Sequence, residues 1–107
     1  MIVAEPWRAT LRDAAALLEA RGWCRGELFR ANGETCLAGA ILRVADRDLP
    51  PAMAANAANA MAQCRAILRR RLGLAPDIRV SLSEWNDAPE RTMADVVALL
   101  RDAAEAA

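Results

Sequence analysis

The stretch Ser83–Thr92, SEWNDAPERT, holds the densest group of side chains that could bind a ligand or take part in a reaction. An indole, a carboxamide, a carboxylate and a guanidinium, from Trp85, Asn86, Asp87 and Arg91, fall within residues 85–91. Together these groups could hold a polar ligand. The same residue types also build tight joints, because Asn, Asp and Pro favour turns. We favour a joint between two elements and keep a binding pocket as the alternative.

Three cysteines add a second kind of chemistry. Cys36 precedes a helix predicted to begin at Leu37, and the dipole of a helix N-terminus makes a thiol more nucleophilic. Cys36 is therefore a candidate nucleophile, with Asp87, Asn86 and Arg91 positioning the substrate, although no base or resolving thiol is identifiable and simple packing is the favoured interpretation. Cys24 and Cys64 are predicted to lie in or near the core. The three thiols have no metal-binding spacing, so we predict no metal site.

Missing residue types exclude several reaction classes. The chain has no His, which excludes the Ser-His-Asp and Cys-His forms of nucleophilic catalysis and zinc sites with His ligands. All 14 basic residues are Arg, so Schiff-base and phosphate-loop lysines are also excluded. No glycine-rich phosphate loop is present. We predict no catalytic residue in the leading interpretation, and no cofactor.

Composition predicts one small domain, residues 1–107, in a reducing compartment. The chain is 107 residues long and 14 acidic residues balance the basic ones, so a general attraction to nucleic acid or to membranes is not expected. The basic run at residues 69–71 is read as solvated surface at a helix end. An odd number of cysteines argues against disulfides, and neither a signal peptide nor a bilayer-spanning run is recognised. We therefore expect a cytoplasmic protein.

Hydrophobic periodicity predicts an α+β fold of about four helices and two or three short antiparallel strands. The helices are expected at residues 10–21, 37–44, 50–72 and 93–106. Strands are expected at residues 27–30 and 35–36, joined by an Asn32-Gly33 hairpin turn, and at residues 78–83, where apolar and polar residues alternate.

Helix caps support these bounds. Thr10 with Asp13, and Thr92 with Asp95, resemble capping boxes at the start of the first and last helices. Gly22 and Gly73 stand where two of the helices should end. Gly39 in the second helix is expected to admit a closely packed neighbour.

A pattern runs through most of the chain: RGWC at residues 21–24, Cys36, GA at 39–40, WND at 85–87 and RT at 91–92. In this pattern the chain resembles a small family of uncharacterised proteins encoded by actinobacteria and their phages. The resemblance implies a stand-alone cytoplasmic protein and implies no established activity. It also implies that the shared polar and aromatic residues form one cluster, which is either a structural kernel or the lining of a pocket.

The leading prediction is a small cytoplasmic binding or accessory protein that acts through a protein partner or self-association. Its expected binding residues are Trp23, Cys24, Trp85, Asn86, Asp87 and Arg91. The alternative is a small cysteine-dependent enzyme or ligand-binding protein whose pocket is formed by the Cys36 joint and the 85–87 turn. Nucleic-acid binding through Arg65 and residues 69–71 is the least favoured interpretation.

Overall fold

Five helices form the secondary structure of the part of the chain that the computed structural model describes, residues 5–106. They are α1 (Pro6–Arg21), α2 (Leu37–Ala45), α3 (Ala52–Leu72), α4 (Leu82–Asp87) and α5 (Met93–Glu105). Within the described range there is no sheet, only two isolated bridges that pair Thr35 with Trp23 and with Phe29. The predicted α+β class is therefore wrong, and the fold is helical. The predicted domain also included residues 1–4 and 107, which lie outside the described range.

All five helices contribute to one hydrophobic core. Helix α1 packs against α2, α3 and α5, and α4 packs against α2 and α3. Fully buried leucines such as Leu11, Leu18 and Leu100 alternate with fully buried alanines such as Ala14 and Ala60. Small residues at the contacts let the helices approach closely, so a chain with 26 alanines and few aromatic residues still forms a dense core.

Helix α1 begins earlier than predicted. Pro6 occupies the first turn, where a missing N–H costs nothing because that group has no partner inside the helix. Thr10, predicted as the N-cap, is instead buried inside the helix, and its hydroxyl donates to the Pro6 carbonyl at 3.3 Å. The predicted end at Gly22 is confirmed.

The other long helices follow the sequence closely. Helix α3 ends at Gly73, which has a left-handed backbone with φ of 66°, as its glycine predicts. The capping box at the start of α5 is confirmed: the Thr92 hydroxyl accepts from the Asp95 N–H at 3.2 Å, and the Asp95 carboxylate accepts from the Thr92 N–H at 3.0 Å. At the other end of α5, the Arg8 guanidinium donates to the carbonyls of Ala104 and Ala106 at 2.8 and 2.6 Å.

The predicted hairpin at residues 27–36 is reduced to its turn. The Arg30 N–H donates to the Glu34 carbonyl at 2.9 Å, and the Asn32 side chain accepts from the Glu34 N–H at 3.0 Å. The two predicted strands are wrong, since pairing stops at the single bridge between Phe29 and Thr35. Residues 35–36 lead directly into α2, and residues 27–30 belong to an irregular loop. Neither segment is therefore long enough to form a ladder of paired residues.

The predicted strand at residues 78–83 is also wrong. Ser81 caps the short helix α4, and its hydroxyl accepts from the Glu84 N–H at 3.2 Å. Ser81 and Glu84 have the spacing of a helix-start signal, which competes with the apolar alternation. Val80 and Leu82 are buried as the alternation predicts, but no neighbouring strand is available to pair with them.

Candidate functional site

The side chain of Asn86 is fully buried and forms the centre of the predicted cluster. Its Oδ1 accepts from the Trp23 indole N–H at 2.7 Å and from the Leu37 backbone N–H at 3.0 Å. Its Nδ2 donates to the Cys24 carbonyl at 3.1 Å and to the Asp87 carboxylate at 3.0 Å. A primary amide offers two donors and one oxygen with two lone pairs, so its hydrogen-bonding capacity is used up inside the protein.

This network joins three segments: the loop that follows α1, the start of α2 and the end of α4. We call Trp23, Cys24, Leu37, Asn86 and Asp87 the Asn86 joint. The first four N–H groups of a helix have no partner inside the helix, and Asn86 supplies one for α2 from a residue 49 positions away in the chain. Three of the four Asn86 bonds reach other segments of the chain, and only the bond to Asp87 joins chain neighbours.

Asp87 lies at the exposed edge of the joint. Its Oδ1 also accepts from the Gly26 N–H at 3.0 Å. The hydrogen bond from Gly26, helped by the one from Asn86, lowers the pKa of the Asp87 carboxyl below its ordinary value, because both bonds favour the charged form. The carboxylate therefore holds the 24–28 loop against α4.

Arg25 reinforces the same contact and is a residue that sequence reasoning missed. Its guanidinium carbon lies 4.7 Å from the centre of the Trp23 ring, and it donates to the carbonyls of Pro89, at 3.2 Å, and of Arg91. These partners are more than 60 positions away in the chain. No periodicity or local spacing could have predicted the pairing.

Trp85 faces away from the joint, toward an open hollow. It is half-buried against the core, and the Arg91 guanidinium lies 4.0 Å above its ring while Arg91 Nε donates to the Trp85 carbonyl at 2.9 Å. Arg91 Nη1 also lies 4.0 Å from the Asp95 carboxylate, so Arg91 contacts both Trp85 and α5. The hollow has a volume of about 240 Å³, and Leu72 on its wall is 57% exposed.

A second hollow lies next to this one, and Ala98 lines both. The second hollow has a volume of about 470 Å³ and is lined by Met93, which is 37% exposed. We call Leu72, Trp85, Arg91, Met93 and Ala98 the Trp85 face. Charged side chains also line the two hollows: Arg71 and Asp95 in the first, and Glu19, Arg101 and Asp102 in the second.

Cys36 occupies the N-cap position of α2, as predicted. Its sulfur accepts from the Gly39 N–H at 3.3 Å, and only 4% of the residue is exposed. A cavity of about 130 Å³ is lined by both Cys36 and Asp87, together with Ser83 and the 26–28 loop. The fold therefore brings together the two residues of the catalytic alternative.

Gly39 explains why this cavity is small. A Cβ atom at this position would lie 2.0 Å from the Leu28 carbonyl oxygen, so the 24–28 loop rests directly on the backbone of α2. The sequence predicted a close neighbour at Gly39, and that prediction is confirmed.

The other two thiols are buried, as predicted. The Cys24 thiol donates to the Glu27 carbonyl at 3.5 Å, and burial raises its pKa. Cys64 is fully buried among core side chains, and burial raises its pKa to about 12. Among the described residues, no group of three or more Cys, Asp or Glu side chains is placed to hold a metal ion.

The six predicted binding residues thus separate into two groups. Trp23, Cys24, Asn86 and Asp87 bond to one another or to neighbouring backbone in the joint. Trp85 and Arg91 line the open hollow instead. Between residues 5 and 106, no helix is both long enough and apolar enough to cross a membrane.

Fold and site define a small helical protein in which an inward-facing polar joint stands beside an outward-facing aromatic surface. The sequence matches DUF6197, a family of unknown function, over residues 3–106. The chain belongs to that family. No curated protein and no solved structure matches the chain.

Proposed function

We propose that this is a non-catalytic binding protein that acts through a protein partner or through self-association, with the Trp85 face as its contact surface. The observation that carries the proposal is the position of Trp85, half-buried, stacked by Arg91 and open to a hollow beside the exposed Leu72. Trp and Arg are enriched among the residues that dominate binding energy at protein interfaces.

The stacking also favours binding by limiting the motion of Trp85. Arg91 holds the indole from above by its guanidinium and from the backbone side by its Nε hydrogen bond. A side chain that is already ordered loses less conformational entropy on binding. The margin formed by Leu72 and Met93 supplies apolar surface that a partner can cover.

A photocrosslinking experiment tests this surface. Benzoylphenylalanine replaces Leu72 in one variant and Leu49 in a matched control, since both leucines are strongly exposed, at 57% and 81%. Leu49 lies just before α3 and Leu72 ends it, so the two probes stand roughly 30 Å apart at a rise of about 1.5 Å per residue. We expect crosslinking from position 72 and not from position 49, in the purified protein or in the native lysate.

The mass of the product separates the two forms of the proposal. An adduct of twice the chain's mass in the purified protein indicates self-association, and a discrete heavier adduct seen only in the lysate indicates a partner. Equal crosslinking from both positions, or none from position 72, would contradict the proposal.

The second candidate function is cysteine-dependent chemistry or small-ligand binding in the cavity beside Cys36. The shared lining by Cys36 and Asp87 favours it. Two observations weigh against it: the volume of about 130 Å³ is below the roughly 300 Å³ at which ligand pockets begin, and the lowered pKa makes Asp87 a weak base.

Alkylation of the folded protein at neutral pH tests this second candidate. Iodoacetamide should modify Cys36 as fast as a free thiol does if the cavity admits reagents to a reactive sulfur. Cys64 is the internal control, because full burial and a pKa of about 12 keep it unreactive until the protein unfolds. Protection of Cys36 equal to that of Cys64 would eliminate the candidate.

A cytoplasmic location is part of the same proposal. Its support is that the cysteines of the described chain are all free and buried, which suits a reducing compartment. The actinobacterial or phage origin implied by the shared sequence pattern stays a prediction. Sequencing the genomic neighbourhood of the gene would test it.

A further inference from the structure

The largest of the cavities described here lies on another side of the molecule, between α2, α3 and the segment that leads into α4. It has a volume of about 550 Å³, within the range of small-molecule sites. We call it the Arg65 groove. Its polar lining comes from Arg65, Arg79, Ser81 and Ser83, and Met61 is part of its apolar lining.

The two arginines of the groove have no partner within residues 5–106. Most arginines there bind a carboxylate or a backbone carbonyl, or stack on an aromatic ring, as Arg8, Arg71 and Arg43 do. Four have none of these contacts: Arg21, Arg65, Arg70 and Arg79. Two of these four line the same groove, and no carboxylate of the described chain lines it.

The polar groups of the groove are suited to donating hydrogen bonds. Each guanidinium carries five N–H donors and no acceptor, and a serine hydroxyl can donate. The Ser81 oxygen already accepts from the Glu84 N–H, which leaves its own proton free to donate. A ligand that fits these groups is rich in acceptors and negatively charged.

We infer that the Arg65 groove binds a small phosphate monoester that carries an apolar group. The two guanidinium charges match the double charge of the phosphate, and Arg binds phosphate through paired N–H groups. The apolar group would lie against Met61 and Val80, which is buried. The site is separate from the Trp85 face, since the groove and the face share no lining residue.

Calorimetric titration with phenyl phosphate at neutral pH tests the inference. The groove variants are Arg65→Gln and Arg79→Gln. The matched control is Arg70→Gln, because Arg70 is exposed on the same helix as Arg65, has no side-chain partner within the described chain and does not line the groove. Because these side chains make no hydrogen bond, ion pair or ring stack within the described chain, all three variants should fold, which circular dichroism verifies. We expect each groove variant to weaken binding about tenfold or more and the control to change it less than about twofold.

Nuclear magnetic resonance places the ligand. Addition of phenyl phosphate should shift the amide signals of Ser81 and Ser83 in the wild type, and Arg79→Gln should need about tenfold more ligand for the same shift. Absence of phenyl phosphate binding would overturn the inference. So would an affinity in Arg70→Gln as low as in the groove variants, because that result indicates a general attraction to basic surface. Equally tight binding of inorganic phosphate would overturn the apolar part, and equally tight binding of benzoate would overturn the choice of phosphate. Tighter binding of a single-stranded oligonucleotide that also depends on Arg70 would replace it with a nucleic-acid surface.

Discussion

Trp85 and Asn86 are neighbours in the chain, yet they serve opposite sides of α4. Asn86 is completely buried, and its amide is saturated by partners from three segments. Trp85 is half-buried, and its ring borders an open hollow beside Leu72. The polar residue therefore holds the fold together, while the aromatic residue is left available for contact.

The comparison shows that a dense polar motif need not be a ligand site. In the sequence, Asn86 and Asp87 look like residues of a binding pocket, but in the structure both form hydrogen bonds to other groups of the protein. A buried amide with all its partners satisfied has nothing left to offer a ligand, and removing it leaves those partners unpaired. Substitutions in the joint should therefore change stability, and substitutions in the face should change binding.

Asn86→Ala should destabilise the protein most. Loss of the amide leaves the buried Leu37 N–H and the Trp23 indole N–H without an acceptor, which should lower the free energy of unfolding by about 3 kcal/mol. Chemical denaturation followed by circular dichroism measures the change. Asn59→Ala is the control, because Asn59 is exposed on α3 and should tolerate Ala with little change. Equal stability of the two variants would show that the joint contributes little.

Gly39→Ala should destabilise the protein through the same joint. The new Cβ would meet the Leu28 carbonyl at 2.0 Å, so the 24–28 loop must move away from α2. We expect a loss of about 2 kcal/mol in the same denaturation experiment, despite the better helix propensity of Ala. A variant as stable as the wild type would mean that the loop is free to shift.

Asp87→Asn should have a smaller effect that depends on pH. The pKa of Asp87 is lowered in the folded state, so its charge stabilises the protein above the unfolded value of about 3.9. This stabilisation disappears as the pH falls through the lower folded pKa. The wild type should therefore exceed the variant in stability at neutral pH, and the difference should vanish in acid. Glu90→Gln removes one charge from an exposed residue and controls for net charge; a difference that is independent of pH would contradict the assignment.

Leu72→Ser should change stability least, by about 0.5 kcal/mol or less, because the residue is 57% exposed. The same change should abolish capture of a partner or of a second copy if the Trp85 face is the contact surface. Analytical ultracentrifugation and affinity capture measure these effects, with the exposed Leu49→Ser as the control. A stable Leu72→Ser protein that binds its partner as well as the wild type does would show that the Trp85 face is not the contact surface.

Local signals predicted the long helices well. The ends at Gly22 and Gly73, the cap at Cys36 and the capping box of Thr92 all depend on residues within one turn of the helix end. Such interactions are encoded by neighbours in the sequence, so spacing finds most of them. It failed at Thr10, whose spacing to Asp13 resembles a capping box although Thr10 lies inside α1.

The sheet was mispredicted because strands depend on distant partners. The Asn32-Gly33 turn forms, but a turn alone does not create a ladder. At residues 78–83 the apolar alternation identified Val80 and Leu82 correctly as buried, but Ile78 is 44% exposed, and the capping signal of Ser81 decided the backbone conformation. Where two local signals disagree, the packing of the whole fold selects between them.

The sequence pattern predicted one cluster, whereas the structure divides its residues between the Asn86 joint and the Trp85 face. The pattern placed Trp23, Asn86 and Asp87 in one group, but it did not give their contacts. It missed Arg25 and the Leu37 N–H, whose contacts join residues far apart in the chain. Whether a side chain faces inward or outward depends on such contacts, which local spacing does not contain.

Amide hydrogen exchange of Leu37 in the wild type shows whether Asn86 joins α4 to α2. Leu37 is the first residue of α2, where an N–H normally exchanges fast, but here it donates to Asn86 at 3.0 Å. Ala38 is the internal control, since its N–H has no acceptor in the described chain. The account predicts that Leu37 exchanges as slowly as Ala40, whose N–H donates to the Cys36 carbonyl at 2.9 Å, and that Ala38 exchanges much faster. Exchange of Leu37 as fast as that of Ala38 would contradict the account, because Asn86 would then not join α2 to α4.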